Sequence, residues 1–160
     1  MGPTTEIQLP DETATLTLAG RLARLAGCGD VLALWGGLGA GKTVLARGFI
    51  RTLFGGDEEV PSPTFTLVQI YGDVDGGTPV FHFDLFRLNA PEEAFELGFE
   101  EALASGIMLI EWPEKLGALL PADRLDVALV SAGLPAGARQ AVLAGSQSWQ
   151  RRLREAGLAA

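Results

Sequence analysis

A single cysteine, Cys28, stands in the whole 160-residue chain, so no intramolecular disulfide can form and a cysteine-rich metal site is ruled out. A reducing compartment suits such a chain. Basic residues are also scarce: 12 Lys and Arg face 20 Asp and Glu, for a formal net charge of -8. Binding to phosphodiester backbones rests on clustered cations that displace counterions, so this balance argues against a general affinity for nucleic acid. Any RNA contact is expected to be local or indirect. No Lys or Arg precedes Arg21, and no apolar run approaches the roughly 18 residues of a membrane span. Neither a secretory signal nor a transmembrane helix is expected, and the cytoplasm is the expected compartment. Glu6 stands where a myristoylation signal has Ser or Thr, so no lipid anchor is expected either.

What is present is a globular composition, 48% apolar and 20% charged. At this length it predicts one domain over residues 1–160. Thr5 to Leu9 alternates like a short strand. Asp11 then caps a helix predicted from Glu12 to Ala26, with Leu18, Leu22 and Leu25 on one face, and Gly27 and Gly29 stop it. Val31 to Trp35 is apolar throughout, as in a parallel strand covered on both faces.

Gly36-Gly37-Leu38-Gly39-Ala40-Gly41-Lys42-Thr43 follows and satisfies G-x-x-x-x-G-K-[ST] at every fixed position. Val44 to Phe54 continues with Leu45, Phe49 and Leu53 at helical spacing, so strand, loop and helix come in the order a phosphate cradle requires. Glycines let backbone N–H groups turn toward phosphates, and the helix presents its positive end to them. In such a loop Lys42 reaches the β and γ phosphates, and the Thr43 hydroxyl ligates Mg²⁺. An accidental glycine-rich turn is the competing reading. Strand and helix on either side weigh against it.

Beyond this helix, Val60-Pro61-Ser62-Pro63 forces extended backbone. Phe65 to Tyr71 and Pro79 to Phe86 read as two strands of an antiparallel hairpin about a Gly- and Asp-rich turn. Thr64 stands at its entrance, and His82 and Asp84 near its end are predicted to share a face. Ordinary alternatives remain for each: a turn residue for Thr64, a satisfied core or surface residue for His82, and a helix cap for Asp84. Asn89 to Glu93 opens a helical stretch with Pro91 near its first turn, and Phe99 to Leu103 reads as a second short helix. Their glutamates read first as solvated faces. Gly106 to Glu111 is an apolar strand ending in a carboxylate, where P-loop folds place the acid that holds Mg²⁺ directly or through water. Strands are predicted at Arg124–Val130 and Gln140–Ala144, and a helix at Trp149–Leu158.

Taken together, Gly36 to Thr43, Ser62-Pro-Thr-Phe65 with Leu67-Val68, His82-Phe-Asp-Leu-Phe-Arg-Leu88 and Ile110-Glu-Trp-Pro-Glu114 resemble the TsaE (YjeE) family. These are the small ATPases of bacterial tRNA threonylcarbamoyladenosine biosynthesis. The resemblance implies an α/β, three-layer P-loop NTPase-type domain whose mixed sheet includes an antiparallel hairpin. It implies an accessory ATPase that binds ATP with Mg²⁺ and acts with the TsaB and TsaD subunits, with tRNA met only through the assembly. The isolated chain is expected to be monomeric, off the membrane and slow in turnover. Carried over residue by residue, Gly36, Leu38, Gly39, Ala40, Gly41, Lys42, Thr43 and Val44 hold the nucleotide, while Thr43 and Glu111 hold Mg²⁺. Thr64 belongs to a switch-like segment and Asp84 to hydrolysis, with Lys42 as the catalytic cation. Trp112 lies beside the nucleotide, and Glu12, Thr15 and Arg139 are looser candidates for base or ribose contacts. The chain departs from the family pattern at Gly37, Val44 and Phe86, where Asp, Thr and Tyr are usual.

Two other classes share the phosphate cradle. A small P-loop kinase needs an acceptor pocket and an Arg-bearing lid, and only scattered Arg47, Arg51 and Arg87 lie between Lys42 and Glu111. A non-enzymatic nucleotide sensor shares every motif, and product analysis separates it from the ATPase.

Overall fold

The computed structural model describes residues 2–61, 63, 67–72, 77–132 and 137–159. Seven strands form one mixed sheet: β1 (Thr4–Leu9), β2 (Val31–Trp35), β3 (Val68–Tyr71), β4 (Val80–Asp84), β5 (Ile107–Glu111), β6 (Leu125–Ser131) and β7 (Arg139–Gly145). Their order across the sheet is β1-β7-β6-β2-β5-β4-β3. The four central strands β6, β2, β5 and β4 run parallel, and antiparallel partners finish both sides. The predicted hairpin is the β3–β4 pair, and the acid-tipped strand β5 lies directly beside β2.

Alternation along the central strands explains two cores. Leu32, Leu34 and Leu109 point to one face, where they meet Leu18 and Leu22 of α1 (Glu12–Leu25) and Leu45 and Phe49 of α2 (Lys42–Phe54). Trp149 and Leu153 of α4 (Gln147–Glu155) complete that core. Val31, Met108 and Ile110 point to the other face, against Phe99 and Ala102 of α3 (Phe99–Ser105) and Leu116. Residues buried on both sides are what the unbroken apolar runs of β2 and β5 require. The result is a helix–sheet–helix stack. Among the described residues, no helix is long and apolar enough to cross a membrane.

Asp11 caps α1 as expected, its carboxylate accepting the Ala14 N–H at 2.9 Å. Several boundaries differ from expectation for local reasons. The stretch after Asn89 is a 3-10 helix, Pro91–Leu97, because Gly98 takes a left-handed conformation (φ 82°) and ends it before an α-helix is established. A second 3-10 helix, Pro113–Leu119, follows Trp112 and was not anticipated. Strand β4 stops at Asp84 because its carboxylate accepts the Phe86 N–H at 3.0 Å, turning the chain. Helix α4 starts two residues before the expected Trp149 and stops short of Gly157, which is left-handed at φ 76°. Strand β3 is described from Val68; Phe65 and Thr66, predicted as its start, lie outside the described residues.

Candidate nucleotide site

The site lies beyond the carboxyl ends of the parallel strands, where open α/β sheets hold ligands. Strand β2 ends at Trp35 and the chain turns through Gly36, whose φ of 148° and surroundings both demand glycine: a Cβ would sit 2.9 Å from the Leu129 carbonyl oxygen. Gly41, at φ 105°, opens α2 without a side-chain cap. The cap residue of this 13-residue helix therefore offers its first-turn amides no side-chain acceptor, which suits an anion-binding end.

Two carboxylates reach this point from neighbouring strands. Asp84 ends β4 and Glu111 ends β5, paired in register with each other. Residues 80, 82 and 84 alternate with Phe81 and Phe83, which enter the opposite core, so His82 and Asp84 share the α2 face as predicted. Glu111 is 2% exposed and engages two groups: the Thr43 hydroxyl donates to its Oε1 at 3.0 Å, and His82 Nε2 lies 2.6 Å from its Oε2. The pairing with His82 lay beyond sequence reasoning, since it depends on the β4–β5 register.

Lys42 is largely buried and donates to the carbonyls of Gly36 and Gly37. Its ammonium also lies 3.5 Å from the centroid of the Trp112 ring. Burial pushes the Lys42 ammonium down from its ordinary value, and the carboxylates of Glu111, Glu114 and Asp84 act against that shift. Trp112 holds its place in a left-handed conformation, φ 60°, and its ring packs 4.9 Å from that of Phe86. Such a backbone is unusual for a non-glycine residue and marks a position fixed by its surroundings.

These residues surround a cavity of about 360 Å³ lined by Leu38 to Val44, Asp84, Phe86, Glu111 and Trp112. A second cavity of similar volume lies on the other side of the loop, sharing Gly39, Ala40, Gly41 and Val44 and adding Glu12, Thr15 and Arg139. Arg139 donates to the carbonyls of Gly39 (2.9 Å) and Ala40 (3.2 Å), so a residue expected to face base or ribose also fastens the loop. Thr64 lies outside the described residues. Every other residue carried over from the family pattern borders one cavity or the other, or, for Gly36, the turn that leads into them, whereas His82 lines neither.

A parallel strand, a glycine-rich loop and an uncapped helix start, faced by a carboxylate at the end of the adjacent strand, define a P-loop α/β protein. Within that class the chain belongs to the TsaE family: the family model described as threonylcarbamoyl adenosine biosynthesis protein TsaE matches residues 9–140. The tRNA threonylcarbamoyladenosine biosynthesis protein TsaE of Rickettsia felis is 42% identical over 121 residues, 76% of this chain and 70% of that one. The protein of the same description from Bacillus subtilis is 39% identical over 125 residues, 78% of this chain and 75% of its own. In three dimensions the fold matches the crystal structure of Bacillus subtilis YdiB with a TM-score of 0.78 and 29% identity, covering 98% of this chain and 96% of that one. The chain's role is therefore in tRNA threonylcarbamoyladenosine biosynthesis.

Proposed function

We propose that the chain binds ATP with Mg²⁺ in this pair of cavities and hydrolyses it as a cytoplasmic accessory ATPase, acting with TsaB- and TsaD-type subunits. The observation that carries the reading is the 3.0 Å contact between the Thr43 hydroxyl and the Glu111 carboxylate across the mouth of the phosphate loop. Both are hard oxygen donors, and two protein oxygens suit a cation that keeps waters and takes phosphate oxygens for its remaining positions. Magnesium, when bound, would supply charge neutralisation at the phosphates.

The chain's own residues have separable tasks. The uncapped amides of α2 and the Lys42 ammonium receive the phosphates, and the second cavity receives the nucleoside against Glu12, Thr15, Val44 and Arg139. Trp112 walls the phosphate cavity and holds Lys42. Asp84 takes the role of orienting an attacking water, with Thr64 in a segment that completes the arrangement; its position beside the cavity and its contact with the Phe86 amide support that role. The acidic surface of the chain supports tRNA contact through partners rather than directly.

The test is ATP hydrolysis by the purified chain alone, then with TsaB and TsaD, then with tRNA. Slow turnover alone and acceleration by the partners are expected. Full activity in isolation would refute the accessory role, and absence of Mg²⁺-dependent ATP binding would refute the site.

A further inference from the structure

The one histidine of the chain sits behind the site rather than in it. His82 is 0% exposed and does not line the phosphate cavity. On β4 it pairs with Leu109, so its side chain reaches diagonally along β5 to Glu111, ending 2.6 Å from Oε2. In the tautomer with its hydrogen on Nε2, the ring donates to the Glu111 carboxylate. The other ring nitrogen, Nδ1, is buried and has no partner among the described residues. A ring kept only for packing would do better as an apolar side chain, because a buried unpaired nitrogen is costly. Among the described residues, the polar partner of this imidazole is one oxygen of Glu111.

The other partner of Glu111 cannot do the same job. Thr43 is assigned to the metal and belongs to the loop–helix junction, so its hydroxyl answers to whatever occupies the cavity. His82 is anchored in the sheet. Carboxylates that hold metals are themselves oriented by hydrogen bonds, and losing such a partner typically weakens metal affinity or activity by about 10–100-fold. Resting on the reading of Glu111 as a magnesium ligand, we infer that His82 is a positioning residue, which fixes the Glu111 carboxylate through Nε2 so that its free lone pairs face the cation.

The test uses two amides that differ in reach. Glutamine places its side-chain nitrogen near the position of Nε2, whereas asparagine reproduces only that of Nδ1 and falls short of Glu111. The Mg²⁺ concentration needed for half-maximal ATP binding is measured by calorimetry for the wild type, His82→Asn, His82→Gln and Glu111→Gln, with ATP binding in EDTA alongside. Thermal unfolding confirms that each variant is folded. His82→Asn should raise the Mg²⁺ requirement by about tenfold or more and leave EDTA binding within about twofold. His82→Gln should stay within about threefold of wild type, because the donor is restored where it is needed. Equal Mg²⁺ requirements for His82→Asn and wild type, or equal losses in the two His82 variants, would overturn the positioning role. Parallel losses with and without Mg²⁺ would also overturn it, by reducing His82 to a packing residue. If His82→Asn does not fold, the decision passes to His82→Gln, and a loss of tenfold or more there refutes the donor argument. Glu111→Gln separates the two levels: an unchanged Mg²⁺ requirement in that variant refutes the ligand reading itself, whereas a raised requirement there with none in His82→Asn refutes only this inference.

Discussion

Thr43→Val isolates the contact on which the site reading depends, and it does so without nucleotide, metal or partner. Valine has nearly the shape of threonine and the same branching at Cβ, so neither packing nor helix propensity in the first turn of α2 changes much. What disappears is the hydroxyl that donates to Glu111 Oε1 at 3.0 Å. The acceptor is a carboxylate only 2% exposed, so water cannot easily replace the lost donor. A hydrogen bond to a charged group contributes about 1.5–3 kcal/mol, and that range is the expected loss in stability. For a chain of this length each kcal/mol moves the melting midpoint by about 2–4 °C, giving a fall of about 3–12 °C. Denaturant unfolding in EDTA measures the loss directly. Thr43→Ser, which keeps the hydroxyl, should lose no more than about 1 kcal/mol, roughly the worth of one buried methyl group. A double-mutant cycle with Glu111→Gln should show coupling between the two positions. Wild-type stability in Thr43→Val, or no coupling in the cycle, would mean that the two side chains do not meet in solution.

Lys42→Ala should weaken ATP binding by about tenfold or more, since a cationic contact to the β and γ phosphates is lost; unchanged affinity by calorimetry would contradict its assignment. Asp84→Asn should keep Mg²⁺-ATP affinity within a few fold while lowering partner-stimulated turnover by about a hundredfold, whereas Glu111→Gln should weaken Mg²⁺-dependent binding; the reverse pattern would exchange their roles. Tyr71→Phe should stabilise the protein by about 1 kcal/mol, because the buried Tyr71 hydroxyl has no partner among the described residues. Burial first, and the Glu58 carboxylate second, push this phenol above its ordinary 10.0. Its neutral form thus contributes stability that is present below that value and lost as pH rises through the higher folded value, so the variant's advantage should widen in that window. Parallel stability–pH curves for the two proteins would refute the shift.

The local parts of the fold were legible because each is fixed by residues close in sequence. The strand, glycine loop and helix of the phosphate cradle span 31–54, and the capping of α1 by Asp11 needs only Ala14 three residues on. Position of Glu111 was readable for a different reason: an apolar run ending in an acid follows from how P-loop sheets are used, and β5 does lie beside β2. What sequence could not supply was register. His82 and Glu111 stand 29 residues apart, and their contact exists only because β4 and β5 align His82 with Leu109. Arg139 reaches back 99 residues to Ala40 from a strand that is not a neighbour of β2, so nothing near either residue signals the contact. The helical stretch opened by Pro91 was legible as a helix but not as a 3-10 helix, because proline and glutamate open both kinds alike, whereas Pro113–Leu119 was not expected as a helix at all.

Charge at the site explains why its parts belong together. Asp84, Glu111 and Glu114 all act on one ammonium, Lys42, which already serves two carbonyls and the face of Trp112. Three carboxylates therefore stand around one partly desolvated cation. On the proposed reading, a dication bound with the nucleotide would offset that negative charge, because the same carboxylates and the phosphates would both attract it. Each would then raise the affinity of the other for the site, and thermodynamic linkage makes such an effect reciprocal. The Thr43 hydroxyl donates to Glu111 Oε1, and Lys42 donates to the carbonyls of Gly36 and Gly37, so both charged groups have neutral partners beside the cavity. Glu111 is tied to the sheet through His82 and the loop is fastened through Arg139, so the two sides of the site are anchored by separate parts of the fold.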